Sequence, residues 1–241
     1  MEISIQPCPY LPDRESRAVL APDSGLPEEL DLRLAAGWRR SGAYFYRYFC
    51  PSCSLCLPLR LDPSHALESR RRRARLYREN LDIRVSISGG AGRKEWLELM
   101  ERYAEARHGS GDKECEESIG SFLCSPCSLV LEYRTDQGAL AALSFLDKGE
   151  ASLSSVYFAF DPREGKRSLG AFSVHKELEL AKSWGCGRYY LGLWIPGSRK
   201  MDYKAEFRPF EILLPSGLWQ AFDNRSEVPT TLLSPRENLR R

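Results

Sequence analysis

The chain has 241 residues, a net charge of +2, 42% hydrophobic and 28% charged residues. That length can bury a sizeable core, as one large domain or two small ones, and the composition is that of an ordinary soluble globular protein. No apolar run approaches the ~20 residues needed to span a bilayer, and Met1 to Tyr10 lacks the basic and apolar regions of a secretion signal. The expectation is a cytoplasmic protein whose eight cysteines are thiols or metal ligands rather than disulfides.

Taken in chain order, Glu28 to Ala36 has helical spacing at Leu30 and Leu34, and Gly37 is placed to end it. Tyr44 to Phe49 reads as a strand and Pro58 to Leu61 as a second, short one. Glu68 to Asn80 predicts a helix, and Leu81 to Ile87 a strand with apolar residues at alternate positions. Ser88 to Gly92 is a turn without the Gly-Lys-Ser/Thr ending of a phosphate loop. A helix from Lys94 to Ala106 and a polar loop follow. Leu129 to Arg134, Ala139 to Leu146 and Ala151 to Phe160 are three strands, the last two joined by a hairpin turn at Asp147-Lys148-Gly149-Glu150. A helix from Ser168, its expected N-cap, to Trp184 leads into a strand from Arg188 to Trp194. Ile212 to Leu214 is one more strand, and the polar tail from Asn224 is expected to fray. An antiparallel hairpin feeding a strand–helix–strand crossover fits an α+β fold with a mixed, acetyltransferase-like sheet, although other α+β folds share that order.

Two clusters could carry chemistry. Arg70, Arg71, Arg72, Arg73, Arg75 and Arg78 form a dense basic run, which either neutralises phosphates or is simply a solvated helix face. Cys50-Pro51-Ser52-Cys53-Ser54-Leu55-Cys56 puts three thiols in seven residues, a spacing that lets sulfurs converge on one ion. Cys8 is the preferred fourth ligand, and Cys53, Cys56, Cys124 and Cys127 are a competing set. Thiolate sets suit tetrahedral zinc or an iron–sulfur cluster, and the spacing does not separate them. Cys115 and Cys186 are expected to be structural. The three histidines, His65, His108 and His175, sit in no Ser- or Cys-centred catalytic signature. From Tyr189 to Phe210 a strand of aromatic and small residues gives way to cations interleaved with aromatics. That mixture can stack a base and neutralise phosphates at a single-stranded end, or can be a core strand followed by a solvated loop.

Several spaced motifs together resemble one family. In the first half they are Cys8-Pro9-Tyr10-Leu11, Gly37 to Gly42, Tyr46-Arg47, and Cys50 through Cys56 to Pro58-Leu59-Arg60. In the second they are Phe160-Asp161-Pro162, Arg167 to Gly170, Tyr190 to Lys204, and Phe207-Arg208-Pro209. The chain is similar here to the bacterial aspartate/glutamate leucyltransferases, relatives of the arginyl-tRNA–protein transferases. The resemblance implies an acetyltransferase-like catalytic fold that takes aminoacyl-tRNA and transfers leucine, or arginine in the relatives, to proteins beginning with Asp or Glu, marking them for degradation. No cofactor is implied for the chemistry, and neither membrane nor DNA is an expected partner. The N-terminal cysteines of relatives are associated with zinc or an iron–sulfur cluster, in agreement with Cys8, Cys50, Cys53 and Cys56, whereas Cys124 and Cys127 lie outside the pattern. The expected organisation is a cysteine-rich region at 1–68, a basic helix and strand at 69–93, a catalytic domain at 94–223 and a tail at 224–241.

Aminolysis of an ester needs the amine positioned, an oxyanion stabilised and the leaving oxygen protonated. An acidic acceptor side chain calls for a forked cation, so Arg40, Arg60 and Arg208 are candidates, with Tyr46 beside them. Trp194, Lys200, Tyr203 and Lys204 are assigned to the tRNA end, and Arg70 to Arg73 to its stem. Ser168 heads a helix that could face a phosphate or the carbonyl, and Tyr190 could donate to the oxyanion or leaving oxygen. Two rivals are weighed. An acyl-CoA N-acetyltransferase needs a small residue where Arg167-Ser168-Leu169-Gly170-Ala171-Phe172 ends in Phe. A non-catalytic RNA-binding metal knuckle leaves the motif from Ser168 to Tyr203 without a purpose.

Overall fold

A computed structural model describes residues 2–12, 14–51, 53–65, 70–90, 93–108, 115–198 and 200–233. The centre is a meander of β7 (Ser128–Thr135), β8 (Leu140–Lys148) and β9 (Ser152–Phe160), each antiparallel to the next. β8 is buried along nearly its whole length, which is why Leu140 to Leu146 shows no polar alternation. β6 (Ile83–Ile87) adds to the β7 edge. On the other side, helix α5 (Leu169–Ser183) crosses over to β10 (Arg188–Trp194), which pairs parallel to β9. Beyond β10 lie β5 (Leu57–Leu61), β11 (Phe210–Leu213) and β12 (Trp219–Phe222), all antiparallel. The eight strands run in the order β12-β11-β5-β10-β9-β8-β7-β6, a mixed sheet of the acetyltransferase-like kind.

Residues before 90 supply β5 and β6, so the N-terminal part of the chain is woven into this sheet. It also forms a second sheet, β1 (Glu2–Pro7), β2 (Glu15–Pro22), β4 (Tyr44–Tyr48) and β3 (Arg39–Ser41), in that order. Helix α1 (Pro27–Ala35) begins with Pro27, carries Glu28 and Glu29 in its first turn and Arg33 in its last, and buries Leu30 and Leu34. Gly37 ends it at φ +82°, and a Cβ there would stand 2.4 Å from a Leu213 methyl, so both backbone angle and space demand glycine.

The two faces of the large sheet are covered differently. α5 lays Leu169, Phe172, Val174, Leu178 and Ala181 on one face, against Leu59, Leu131, Tyr133 and Tyr189. Helix α2 (Arg70–Glu79) rides outside α5, with Leu76 buried and Tyr77 edge-on to Phe172 at 5.6 Å. Helices α3 (Arg93–His108) and α4 (Cys115–Phe122) pack Trp96, Leu99, Met100 and Ile119 on the other face with Val130, Leu143 and Phe145. Each such side chain, fully buried, contributes about 1.5–3 kcal/mol. One acid is enclosed in the α5 layer. Glu177 accepts from Ser144 Oγ at 2.7 Å and from the Tyr189 hydroxyl, and burial raises its pKa.

The tail departs from expectation. Val228 and Leu232, the latter in a short helix α6 (Thr230–Leu233), are buried in the main core, so the chain is packed at least to residue 233. The expected start of the basic helix, 68–69, and the end of the turn, 91–92, lie outside the described residues.

Candidate active site between two parting strands

β9 and β10 pair only at Arg188↔Ser152, Tyr189↔Leu153 and Tyr190↔Ser154. Both strands carry a bulge at the point where pairing stops. β9 skips a residue between its partners of Phe145 and Leu146, leaving Val156 unmatched, and β10 shifts between Tyr190 and Gly192. Beyond those bulges the strands diverge, and the ladder's amides and carbonyls on the facing edges are released into a cleft of about 890 Å³. Tyr157, Phe158, Phe160 and Tyr103 form an aromatic wall, while Leu191, Leu193, Val156 and Met201 line it with aliphatic side chains. Ser168, Leu169 and Gly170 bring the N-terminus of α5 to the same cleft.

At its inner end stand two buried cations. Arg39, on β3, donates from Nη1 to Ser154 Oγ at 2.9 Å and from Nη2 to the Ser155 carbonyl. Lys204 Nζ donates to the Leu193 carbonyl at 3.0 Å. Only 7% of each residue is exposed, and neither has a carboxylate partner among the described residues. Gly192, at φ +98°, separates them. A Cβ there would lie 3.1 Å from Lys204 Nζ and 3.5 Å from Arg39 Nη2, so only glycine lets both cations approach the bulged strand. Burial, and then the nearby Arg39 charge, push the Lys204 ammonium down to about 7.

A second cavity of about 290 Å³ adjoins this cleft and shares Tyr10, Arg39, Tyr46 and Leu193 with it. Cys8, Cys50, Cys53 and Cys56 all line the smaller cavity. Burial pushes the Cys56 thiol up to about 12, helped by the nearness of Cys50, Cys53 and Cys8. Four thiols crowding one space are a donor set that suits a thiophilic ion. They are not arrayed as ligands, however. Among the described residues no three Cys, His, Asp or Glu side chains converge on a common point, and Cys50 Sγ accepts from the Arg17 amide at 3.4 Å. Cys124 and Cys127 lie elsewhere, Cys124 beside Arg40 and Cys127 against the Gly25 carbonyl.

The sequence candidates divide. Ser168, Lys200, Tyr203, Lys204 and Tyr46 come together around the cleft. Ser168 heads α5 in a left-handed conformation, and its side chain makes no capping bond. Arg40 is withdrawn. It forms a bidentate pair with Asp147 at 2.7 and 2.8 Å and spends further donors on Gly42, Phe122 and Ser128. Arg60 pairs with Glu211 at 2.7 Å and lies 4.1 Å over the Trp219 ring. Tyr190 packs with Leu30, Leu34 and Phe45 and faces Arg60, away from the cleft, because it neighbours Tyr189 on a strand and the two point to opposite faces. Trp194 is fully buried against Phe210, its indole N–H donating to Asp202 at 3.3 Å, so it offers no stacking surface. Arg208 is exposed and bonded to Asn224. Of the basic run, Arg71 and Arg73 are exposed on α2, and Arg72 pairs with Glu206, two residues past Lys204, which sets that helix beside the cleft; the Arg70 side chain lies outside the description. Sequence reasoning missed Arg39 and the aromatic wall.

A mixed sheet opened at its parallel pair, with a helix N-terminus, a buried arginine and a buried lysine facing the opening, is a framework suited to acyl transfer. Comparison with known proteins narrows this. Residues 6–74 match the description "Arginine-tRNA-protein transferase, N terminus" and residues 95–214 match "Arginine-tRNA-protein transferase, C terminus". The aspartate/glutamate leucyltransferase of Maricaulis maris is 38% identical over 221 residues, covering 89% of this chain and 86% of its own. That of Stutzerimonas stutzeri is 37% identical, covering 86% and 90%, and that of Saccharophagus degradans is 33% identical, covering 90% and 93%. Among solved structures FemX is similar at 12% identity and a TM-score of 0.47, covering 60% of this chain and 54% of its own. The chain belongs to the aspartate/glutamate leucyltransferase family, and it is an aminoacyltransferase. No helix among the described residues is long and apolar enough to cross a membrane.

Proposed function

We infer that the protein moves leucine from leucyl-tRNA to the α-amino group of proteins beginning with Asp or Glu, and that the ester and amine meet in the cleft between β9 and β10. The observation that supports this placement is the buried guanidinium of Arg39, set beside Lys204, with no carboxylate partner among the described residues. A buried charge without a partner is costly, so Arg39 calls for an anionic ligand group. Arg39 presents the forked donor that an Asp or Glu side chain requires. It takes over the role that composition suggested for Arg40 and Arg60. The Arg39 charge repels an arginyl donor, whereas Val156, Leu191, Leu193 and Met201 offer an apolar seat for leucine.

The remaining tasks fall to neighbouring groups. The aromatic wall of Tyr103, Phe158 and Phe160 receives the terminal adenosine, and the N-terminus of α5 at Ser168 and Gly170 faces a phosphate. Backbone amides freed beyond Ser154 and Tyr190 are the donors available to the oxyanion. Arg71 and Arg73 on α2, with Lys200 at the cleft mouth, hold the acceptor stem by its backbone. The acceptor enters through the adjoining cavity, past Tyr10 and Tyr46. Cys8, Cys50, Cys53 and Cys56 would hold a zinc ion or iron–sulfur cluster in that cavity's wall, where it would supply rigidity. The test is transfer of labelled leucine or arginine from charged tRNA to peptides beginning with Asp, Glu or Ala. Leucine appearing on the acidic peptides alone is expected. Transfer from Arg-tRNA, or equal transfer to the Ala peptide, would overturn the assignment.

A further inference from the structure

We propose that Lys204 is the base of this reaction, accepting the proton that the acceptor's α-amino nitrogen sheds as it becomes an amide. The proposal rests on the reading of the cleft as the site of leucyl transfer, and it concerns a step that no histidine or carboxylate there can perform. Among the described residues no His, Asp or Glu side chain lines the cleft, so proton acceptors there other than lysine are phenols and hydroxyls. Lys200, the other lysine of the cleft, is exposed at its mouth.

Lys204 differs from Lys200 in every respect that matters to a base. It is buried, its one acceptor among the described residues is the Leu193 carbonyl at 3.0 Å, and it lies at the bulge of β10 where the parallel pair opens. Gly192 leaves its Nζ uncovered toward the strand edge along which the ester must lie. The groups around it are Arg39 from β3, Tyr46 from β4, Tyr10 from the segment after β1, and Tyr203 and Lys200 from its own segment. Tyr103 and Tyr157 lie further along the wall. None is an acid that would hold it protonated, and the Arg39 charge does the opposite. Burial and that charge bring its pKa down to about 7, where a lysine is substantially neutral in the cell and still basic enough to act.

The chemistry balances without a further reactant. The neutral amine's lone pair forms the C–N bond to the leucyl carbonyl carbon. Nζ takes a proton from the resulting ammonium centre. The C–O bond to the ribose then breaks, and the proton passes from Nζ to that leaving oxygen, which regenerates the free base. An acidic acceptor side chain paired with Arg39 offsets the smaller of the two causes, after burial, that lower Lys204's basicity.

The test uses the full-length enzyme with Leu-tRNA and an Asp peptide, following kcat/KM from pH 5.5 to 9. Two groups, the acceptor amine and Lys204, must both lose a proton, so the acid limb of log(kcat/KM) should climb with a slope of two. Lys204→Met should lower kcat/KM by about 10²–10⁴ and leave a slope of one, with tRNA affinity unchanged. Lys204→Arg, which keeps the charge but cannot act as a base near neutrality, should fare no better. A wild-type slope of one would overturn the proposal without recourse to any variant. So would recovery of most of the rate by Lys204→Arg, which would make Lys204 a binding cation. Wild-type enzyme that transfers no leucine at all would instead refute the functional reading on which the proposal stands.

Discussion

Arg40 and Arg39 are adjacent, equally buried and both positively charged, and the structure gives them opposite tasks. Replacing Arg40 by alanine tests the distinction. Arg40 and Asp147 are each only 1% exposed in their side chains, and the guanidinium joins β3 to the end of α4, the start of β7 and the end of β8. Its removal leaves the Asp147 carboxylate buried with the Ser128 hydroxyl, at 3.0 Å, as a partner. It also leaves the Gly42 and Phe122 carbonyls without their donors. Breaking one side of such a buried pair costs about 3–5 kcal/mol. At about 2–4 °C per kcal/mol for a chain of this size, the melting temperature should fall by roughly 6–20 °C. Replacing both partners, as Arg40→Met with Asp147→Leu, should recover part of the loss, because no charge is then stranded. The assay is thermal unfolding together with KM for an Asp peptide, measured well below the transition. The expected result is a large loss of stability with KM little changed. An Arg40→Ala protein that melts like the wild type yet binds the acidic acceptor poorly would refute the argument and return Arg40 to the acceptor site.

Three shorter predictions follow from the same geometry. Gly192→Ala places a methyl 3.1 Å from Lys204 Nζ on a backbone at φ +98°, so transfer should fall well over tenfold while the melting temperature moves only a few degrees; unchanged transfer kinetics would show that the two cations need not meet the strand there. Arg71→Ala and Arg73→Ala should weaken tRNA binding and flatten its salt dependence by about one counterion each, whatever the acceptor peptide. A slope unaltered by both would leave α2 a solvated face. Protein purified without oxygen should carry metal that is lost on Cys53→Ser or Cys56→Ser and retained on Cys124→Ser or Cys127→Ser, with visible absorbance separating an iron–sulfur cluster from zinc. Metal-free wild-type protein from that preparation would end the case for a metal centre.

The second half of the fold is legible in sequence because its periods are clean. β7 to β10 alternate or run apolar between turn residues, and α5 repeats its core contacts at helical spacing. β1 and β2 escape notice for a physical reason. The small sheet leaves β1 mostly exposed, so Glu2 to Pro7 shows Ile3 and Ile5 without the burial that would give their alternation a direction. α4 is only eight residues long, and β12 follows a Pro-Ser-Gly turn with two of its four residues exposed.

The site was legible in residue type but not in the face each residue takes, and one pair shows how that gap could have been closed. Gly42-Ala43 is a two-residue turn between β3 and β4, and such a turn fixes the register completely: Ser41↔Tyr44, Arg40↔Phe45, Arg39↔Tyr46. Directly paired residues share a face. Phe45, an apolar residue on a short strand, is the one that must go to the core, and Arg40 therefore goes inward with it, where a buried guanidinium has to find a carboxylate. Arg39 is then left on the face of Tyr46, the residue that the acceptor argument had already selected. Without the hairpin that carries them Arg39 and Arg40 are indistinguishable in sequence, and its register alone sends them to opposite faces. The same parity separates Tyr189 from Tyr190, where Tyr189 takes the α5 face with Glu177 and Tyr190 is turned away. No parity argument reaches Lys204, because it lies in a 3-10 turn (Asp202–Glu206) whose direction is set by packing against β10 and by its contacts with Arg72 and Arg225. What singles it out is a property that emerges only after folding: an amine at the meeting of two bulged strands, with an arginine for a neighbour and, among the described residues, no acid to pair with.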